Sequence, residues 1–335
     1  MIFKKINEYH KVRSDLFFPD TKPVYKNDDA IVEIDESGAI RELFSSKENF
    51  ALEKADAAGL YIRDRKGFFR LKDGKTDRQI QWEDPGKKQI KCIDGNLFLL
   101  RSEQLDGMWK LSLMNLDSGE TIWEVNDDDT HTCTHYLSFF ILVSIEKVMS
   151  CHTVNNGRKL WEMDVKTLID GGKADLFSPI SGWEDRIFFY VSDLKDDTTV
   201  CLDIQDGKRA ERIEFGTWIV PYGDYFYGTS SGTVRKLDPV SFHVEDIDIV
   251  NMGEQFDMEF SWNRFIVDGD ELYFAAKKRL VLGCVSLKER KLVWSNQIPA
   301  MDEFEAIDRI DVSNNRLYVL TNRGVLHFFQ KEFPS

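Results

Sequence analysis

Short apolar runs separated by turns recur along the chain, and their lengths are those of β-strands. Residues 31–38 read IVEIDESG, and residues 60–67 (LYIRDRKG), 225–232 (YFYGTSSG) and 317–324 (LYVLTNRG) repeat the pattern. Each begins with an apolar strand and places a glycine seven positions after its first residue, ahead of a second strand. Glycine at that point accepts the dihedrals that a hairpin requires. Less regular copies start at Leu97, Phe139, Ile187 and Leu272. With one anchor per unit, from Ile31 to Leu317, the mean spacing is about 41 residues, room for four strands and their turns, which is one propeller blade. The expected fold is all-β, a β-propeller of eight four-stranded blades filling residues 1–335 as one domain. The first spacing, from Ile31 to Leu60, is short, so a seven-bladed count in which two anchors share a blade is the alternative.

A second motif follows the hairpin: a strand, a turn, then a strand carrying tryptophan. It reads NLDSGETIW at 115–123, VNNGRKLW at 154–161 and, without the glycine, LKERKLVW at 287–294; Asp73-Gly74 leads to Trp82 through a longer link. Asn or Asp followed by Gly is hairpin-turn chemistry. Stacked blades bury their faces against each other, so Trp82, Trp123, Trp161 and Trp294 are expected to pack between blades rather than to bind a ligand. The last unit has two clear strands, 317–321 and 325–330, and then the chain stops. The N-terminal residues 1–26, with apolar stretches at 16–18 and 23–25, are expected to supply a strand that covers its open edge.

The strand, Asp-Ser-Gly turn and tryptophan of 115–123, with looser copies at 155–161 and 286–294, resemble the tryptophan-docking repeats of the pyrroloquinoline-quinone-like β-propeller superfamily. The resemblance covers about six of the eight units. That superfamily includes quinoprotein alcohol dehydrogenases and a noncatalytic propeller of the outer-membrane protein assembly machinery. The catalytic branch uses calcium and quinone beside an adjacent cysteine pair. This chain has no adjacent cysteines and no calcium loop, so the resemblance implies a noncatalytic binding relative without a cofactor.

Composition narrows the classes further. The chain has 335 residues, 44 Lys+Arg against 58 Asp+Glu, and a net charge of −14. With 42% hydrophobic residues it is a folded protein, and its acidic balance argues against nonspecific nucleic-acid binding or an anionic membrane. No apolar run is long enough to span a bilayer as a helix, and the N-terminal residues lack the apolar core of an export signal. Five dispersed cysteines fit reduced thiols, so a cytoplasmic location is expected.

Three sets of residues carry candidate chemistry. His131, Cys133 and His135 alternate on one face of an extended strand and are zinc-ligand types. Against this, alternate side chains lie about 7 Å apart and zinc-ribbon spacing is missing, which favours ordinary strand packing. Asp127, Asp128 and Asp129, Asp196 and Asp197, and Asp268 and Asp270 are acidic groups in expected turns, suited to solvated loops or to a basic protein partner. Trp183 beside Glu184, and Trp218, are aromatic candidates for an interface anchor, with core packing the competing role. Phosphate-loop, HExxH and nucleophile-elbow motifs are missing. The expected function is a noncatalytic interaction scaffold, an acidic adaptor or antagonist of a basic protein, acting as a monomer or within a hetero-complex. The alternative is a glycan-active or other small-molecule enzyme with its site at the central channel.

Overall fold

A computed structural model of the chain describes residues 2–13, 16–19, 22–35, 37–81, 88–104, 107–127, 130–168, 175–192, 197–230, 233–250, 264–276 and 280–332. They form an eight-bladed, all-β propeller of antiparallel sheets. Blades 1 to 8 cover 24–45, 50–81, 88–126, 130–164, 175–213, 220–248, 265–297 and 307–332. The second strand of blade 4, Phe139–Ser144, is buried over its first five residues, and Arg316–Thr321 of blade 8 over its last five. Continuous rather than alternating burial follows when both faces of a sheet are covered. The blades fall into two compact units: Arg13–Thr167 with Ile204–Gly207, and Met1–Val12 with Leu168–Asp203 and Lys208–Ser335.

Blade 8 takes its fourth strand from the other end of the chain. Ile2–Tyr9 pairs antiparallel with Leu326–Glu332, from Phe3 opposite Lys331 to Tyr9 opposite Leu326, with a bulge between Lys5 and Asn7. The Val12 N–H then donates to the Gly324 carbonyl at 3.0 Å. The stretches at 16–18 and 23–25 go elsewhere: Phe17 bridges Val24, and Val24–Lys26 pairs with Ala30–Ile34 in blade 1.

A bulge between the third and fourth strands recurs at one register. The extra fourth-strand residue is Leu43, Asp77, Ile122, Leu160, Ala210 or Val293 in blades 1 to 5 and 7. By this mark Ala30–Ile34 is the third strand of blade 1, whereas Leu60 and the later anchors lie in second strands. The short spacing after Ile31 is therefore a shift of the anchor by one strand, and the seven-bladed alternative falls away because each anchor has its own sheet.

The turn from third to fourth strand is also shared. The N–H of Gly119, Gly157 and Phe242 donates to the carbonyl of Asn115, Thr153 and Asp238 at 2.8, 3.0 and 2.9 Å. The fifth position is left-handed in each, with φ of 72°, 66° and 60°, and Arg290 takes the same place in blade 7 at 53°. The turn imposes this conformation even where glycine is replaced.

Candidate functional site

The residue after the bulge faces the next blade's third-to-fourth turn. In blade 3 it is Trp123, whose Nε1–H donates to the Val154 carbonyl at 2.7 Å. Its ring covers Gly157 so closely that an added Cβ would lie 2.6 Å from it. Trp161 repeats the arrangement on Ile204, at 2.8 Å, and Gly207. Trp294 has no such turn to meet, because blade 8 receives its fourth strand from the N-terminus. It packs instead on Phe3 and Phe329, with ring centroids 5.0 and 6.1 Å away. Trp123, Trp161 and Trp294 are thus packing residues in their surroundings.

Trp82 lies outside the described residues. In blade 2 the position after the bulge is Arg78, whose guanidinium pairs with Asp117 at 2.7 Å in the next turn. In blade 1 it is Phe44, which packs on Phe50 and Phe69.

His131, Cys133 and His135 sit in separate surroundings. A bulge at His131 breaks the alternation and leaves that residue exposed, since the register jumps between Thr130 and Thr132. Cys133 packs against the cluster of Leu99, Leu113 and Trp123. His135 Nδ1 meets Asp94 at 2.7 Å. Among the described residues no group of three His, Cys, Asp or Glu side chains is placed to hold a metal. His152, buried and paired from Nδ1 to the Gly157 carbonyl and from Nε2 to the Ser150 hydroxyl, both at 3.1 Å, braces the turn beneath Trp123. Burial holds its pKa below the usual histidine value. Burial also pushes the Cys151 and Cys201 thiols up to about 12, which removes their thiolate reactivity at neutral pH.

The acidic candidates sit in unlike settings. Asp127 is a buried partner of Arg101 that also accepts from the Thr130 N–H at 3.0 Å. Burial alone would raise its pKa, but the hydrogen bonds from Thr130 and Arg101 outweigh it and hold the carboxylate ionised. Asp197 is exposed at the start of a third strand, beside the Tyr190 phenol. Asp268 and Asp270 are exposed in a first-to-second turn, where the Gly269 N–H donates to the Tyr222 hydroxyl. Asp128, Asp129 and Asp196 lie outside the described residues. Antiparallel succession sends first-to-second turns and second-to-third turns to opposite ends of a sheet, so Asp197 and the pair Asp268 and Asp270 stand at opposite ends of their blades. Trp183 packs with Phe188 and Phe226 in the core, Glu184 is exposed beside it in a tight turn at φ 52°, and Trp218 lies 6.1 Å from the Tyr190 ring.

Sequence reasoning missed the most conspicuous exposed apolar residues. Met301 and Phe304 are each 65% exposed on the connection between Lys291–Gln297 of blade 7 and Ile307–Ser313 of blade 8. That connection is tightly held. The Glu305 carboxylate, 1% exposed, accepts from the Met301 N–H at 2.6 Å and from the Thr321 hydroxyl at 2.7 Å. Asn322 bonds the Phe304 carbonyl and the Ala306 N–H, both at 3.0 Å. Arg323 pairs with Asp302 at 2.8 Å, and this hydrogen bond holds the Asp302 pKa down. The available signal was an apolar pair inside an acidic turn, Met301-Asp302-Glu303-Phe304, where strand periodicity offers no reason for either apolar residue.

Two polar clefts among the described residues lie between neighbouring blades. One of about 310 Å³ lies between blades 3 and 4, lined by Leu111, Leu142, His152, Asp127 and Glu162. A larger one, about 520 Å³, lies between blades 1 and 2, lined by Glu33, Arg41, Leu43, Leu60, Leu71 and Gly74.

No protein-family model matches the chain, and no curated protein matches its sequence. Among solved structures it is similar to BamB from Moraxella catarrhalis, at 10% identity and a TM-score of 0.62 over 98% of this chain and 100% of that one. Sqt1 from Saccharomyces cerevisiae gives 12% identity and 0.63 over 99% and 100%. The C-terminal WD40 domain of Sif2 gives 12% and 0.63 over 99% of each chain. At these identities the likeness is one of fold: the chain is a β-propeller. Among the described residues no helix is long and apolar enough to cross a membrane.

Proposed function

We propose that the chain is a noncatalytic, cytoplasmic interaction scaffold that binds a basic protein through the connection carrying Met301 and Phe304. The observation that carries this reading is the pairing of a rigid backbone with two solvent-facing apolar side chains. Ordered anchors lose little freedom on binding, and large apolar residues are common centres of binding energy. Asp302 and Glu303 are exposed beside them, and the chain carries a net charge of −14, so the complementary surface is an apolar pocket with a basic rim. The similar propellers named above are compatible with such a role.

The test is capture from the native cell with wild-type protein and with the double variant Met301→Ser/Phe304→Ser, at two salt concentrations. A protein retained by the wild type, weakened by salt and lost with the double variant is the expected result. Equal capture by both proteins would contradict the reading.

A further inference from the structure

The blade 1–2 cleft stands where a tryptophan is docked elsewhere in the same chain. At Gly157 and Gly207 the space above the turn glycine is filled by an indole, 2.6 Å from where a Cβ would be. At Gly74, the turn glycine of blade 2, no described atom lies within 4 Å of that point. Two features of the sequence leave it open. The blade 1 residue at the docking register is Phe44, and its ring turns onto Phe50 and Phe69. The blade 2 turn is also shorter: Lys72 pairs directly with Lys75, leaving only Asp73 and Gly74 between the strands.

The resulting cleft, about 520 Å³, falls within the range of small-ligand pockets, about 300–1,000 Å³. Leu43, Leu60 and Leu71 supply apolar wall, and Glu33, 8% exposed, holds Arg41 at 3.0 Å within the lining. The carboxylates of Glu33, Glu42, Asp56 and Asp73 outnumber the cations Arg41 and Lys72. The cleft lies between the same elements that enclose Trp123 and Trp161, its shorter turn leaves room for an indole to enter from outside, and cationic neighbours fit the charge.

We propose that the cleft between blades 1 and 2 receives a tryptophan side chain of a partner protein, carried on a basic segment. This site does not depend on the Met301 and Phe304 surface and goes beyond the reading given there.

The probe is the tripeptide amide Ac-Lys-Trp-Lys-NH2, titrated into the full-length deuterated chain and followed by backbone-amide NMR. Shifts at Gly59, Leu60, Leu71 and Gly74 are expected, with binding roughly tenfold weaker for Ac-Lys-Ala-Lys-NH2. Leu43→Trp, which fills the cleft from within, should abolish the shifts. Glu42→Lys, an exposed change that keeps the fold if Leu43→Trp does not, should weaken binding a few-fold. Met301→Ser/Phe304→Ser should leave the shifts intact, so failure of partner capture and failure of this site are read separately. The proposal is overturned if these amides do not move, if the alanine peptide moves them equally, if Glu42→Lys leaves binding unchanged, or if the shifts vanish with the Met301 and Phe304 variant.

Discussion

Trp123 and Trp294 occupy the same place in their blades, one residue past the same bulge, yet they rest on different supports. Trp123 lies on a five-residue turn, with a glycine under its ring and a carbonyl facing its N–H. Trp294 lies on Phe3, delivered by the first strand of the chain. A docking tryptophan therefore requires a prepared surface on the next blade, and the chain prepares it in two ways. Where the sheet is one continuous meander, the turn does so. In blade 8, whose fourth strand is Ile2–Tyr9, that strand does so, closing the sheet edge and supporting the tryptophan with the same residues.

The largest expected effect breaks this comparison on the Trp294 side. Deleting residues 1–9 removes both Phe3 and the fourth strand of blade 8, exposing a paired edge and an aromatic cluster. A loss on the order of 5 kcal/mol, comparable with the whole stability of many domains, should appear in thermal or urea unfolding. Next comes Trp123→Ala, expected to cost about 3–5 kcal/mol, because the indole is buried and its removal leaves both a cavity and an unpaired Val154 carbonyl. Trp294→Ala should cost less, since that ring is only half buried and Phe3 can relax into the space.

A smaller effect sharpens the comparison, since it belongs to blade 8 alone. His327, on the strand that pairs with Ile2–Tyr9, is 3% exposed. Burial, then the Lys5 cation, drive its pKa down to about 4, against the opposing pull of Glu8 and Glu305. Between about pH 4 and the ordinary value of 6.5 the unfolded chain binds more protons at this residue than the folded one. Stability should therefore rise with pH across that window, by on the order of 2 kcal/mol from this group. His327→Gln should flatten that part of a denaturation profile while leaving the Trp123 interface unchanged.

The repeated hairpins made the blade count and the role of three tryptophans legible, because period and turn chemistry are local properties of the chain. Ile31 misled only in phase, since nothing in IVEIDESG distinguishes a third strand from a second. Spacing alone does not mark the docking position: a one-residue bulge decides which side chain faces the next blade, and in blade 2 that side chain is Arg78. Spacing already favoured strand packing over zinc for His131, Cys133 and His135, but it could not show the bulge at His131 that breaks their alternation. Acidic runs were visible in sequence, but Asp127 shows that a run of like residues can include a buried ion-pair member. Met301 and Phe304 showed in sequence only as an apolar pair in an acidic turn, because the order of their backbone comes from Thr321, Asn322 and Arg323, on another strand and its turn.

A double-mutant cycle of Trp123 and Gly157, read by urea unfolding, tests most directly whether the tryptophan and the left-handed turn form one docking unit. Gly157→Ala alone should cost about 2–4 kcal/mol, from backbone strain at φ 66° together with collision against the indole. In the Trp123→Ala background only the strain of about 1 kcal/mol should remain. Equal costs in the two backgrounds would contradict the account.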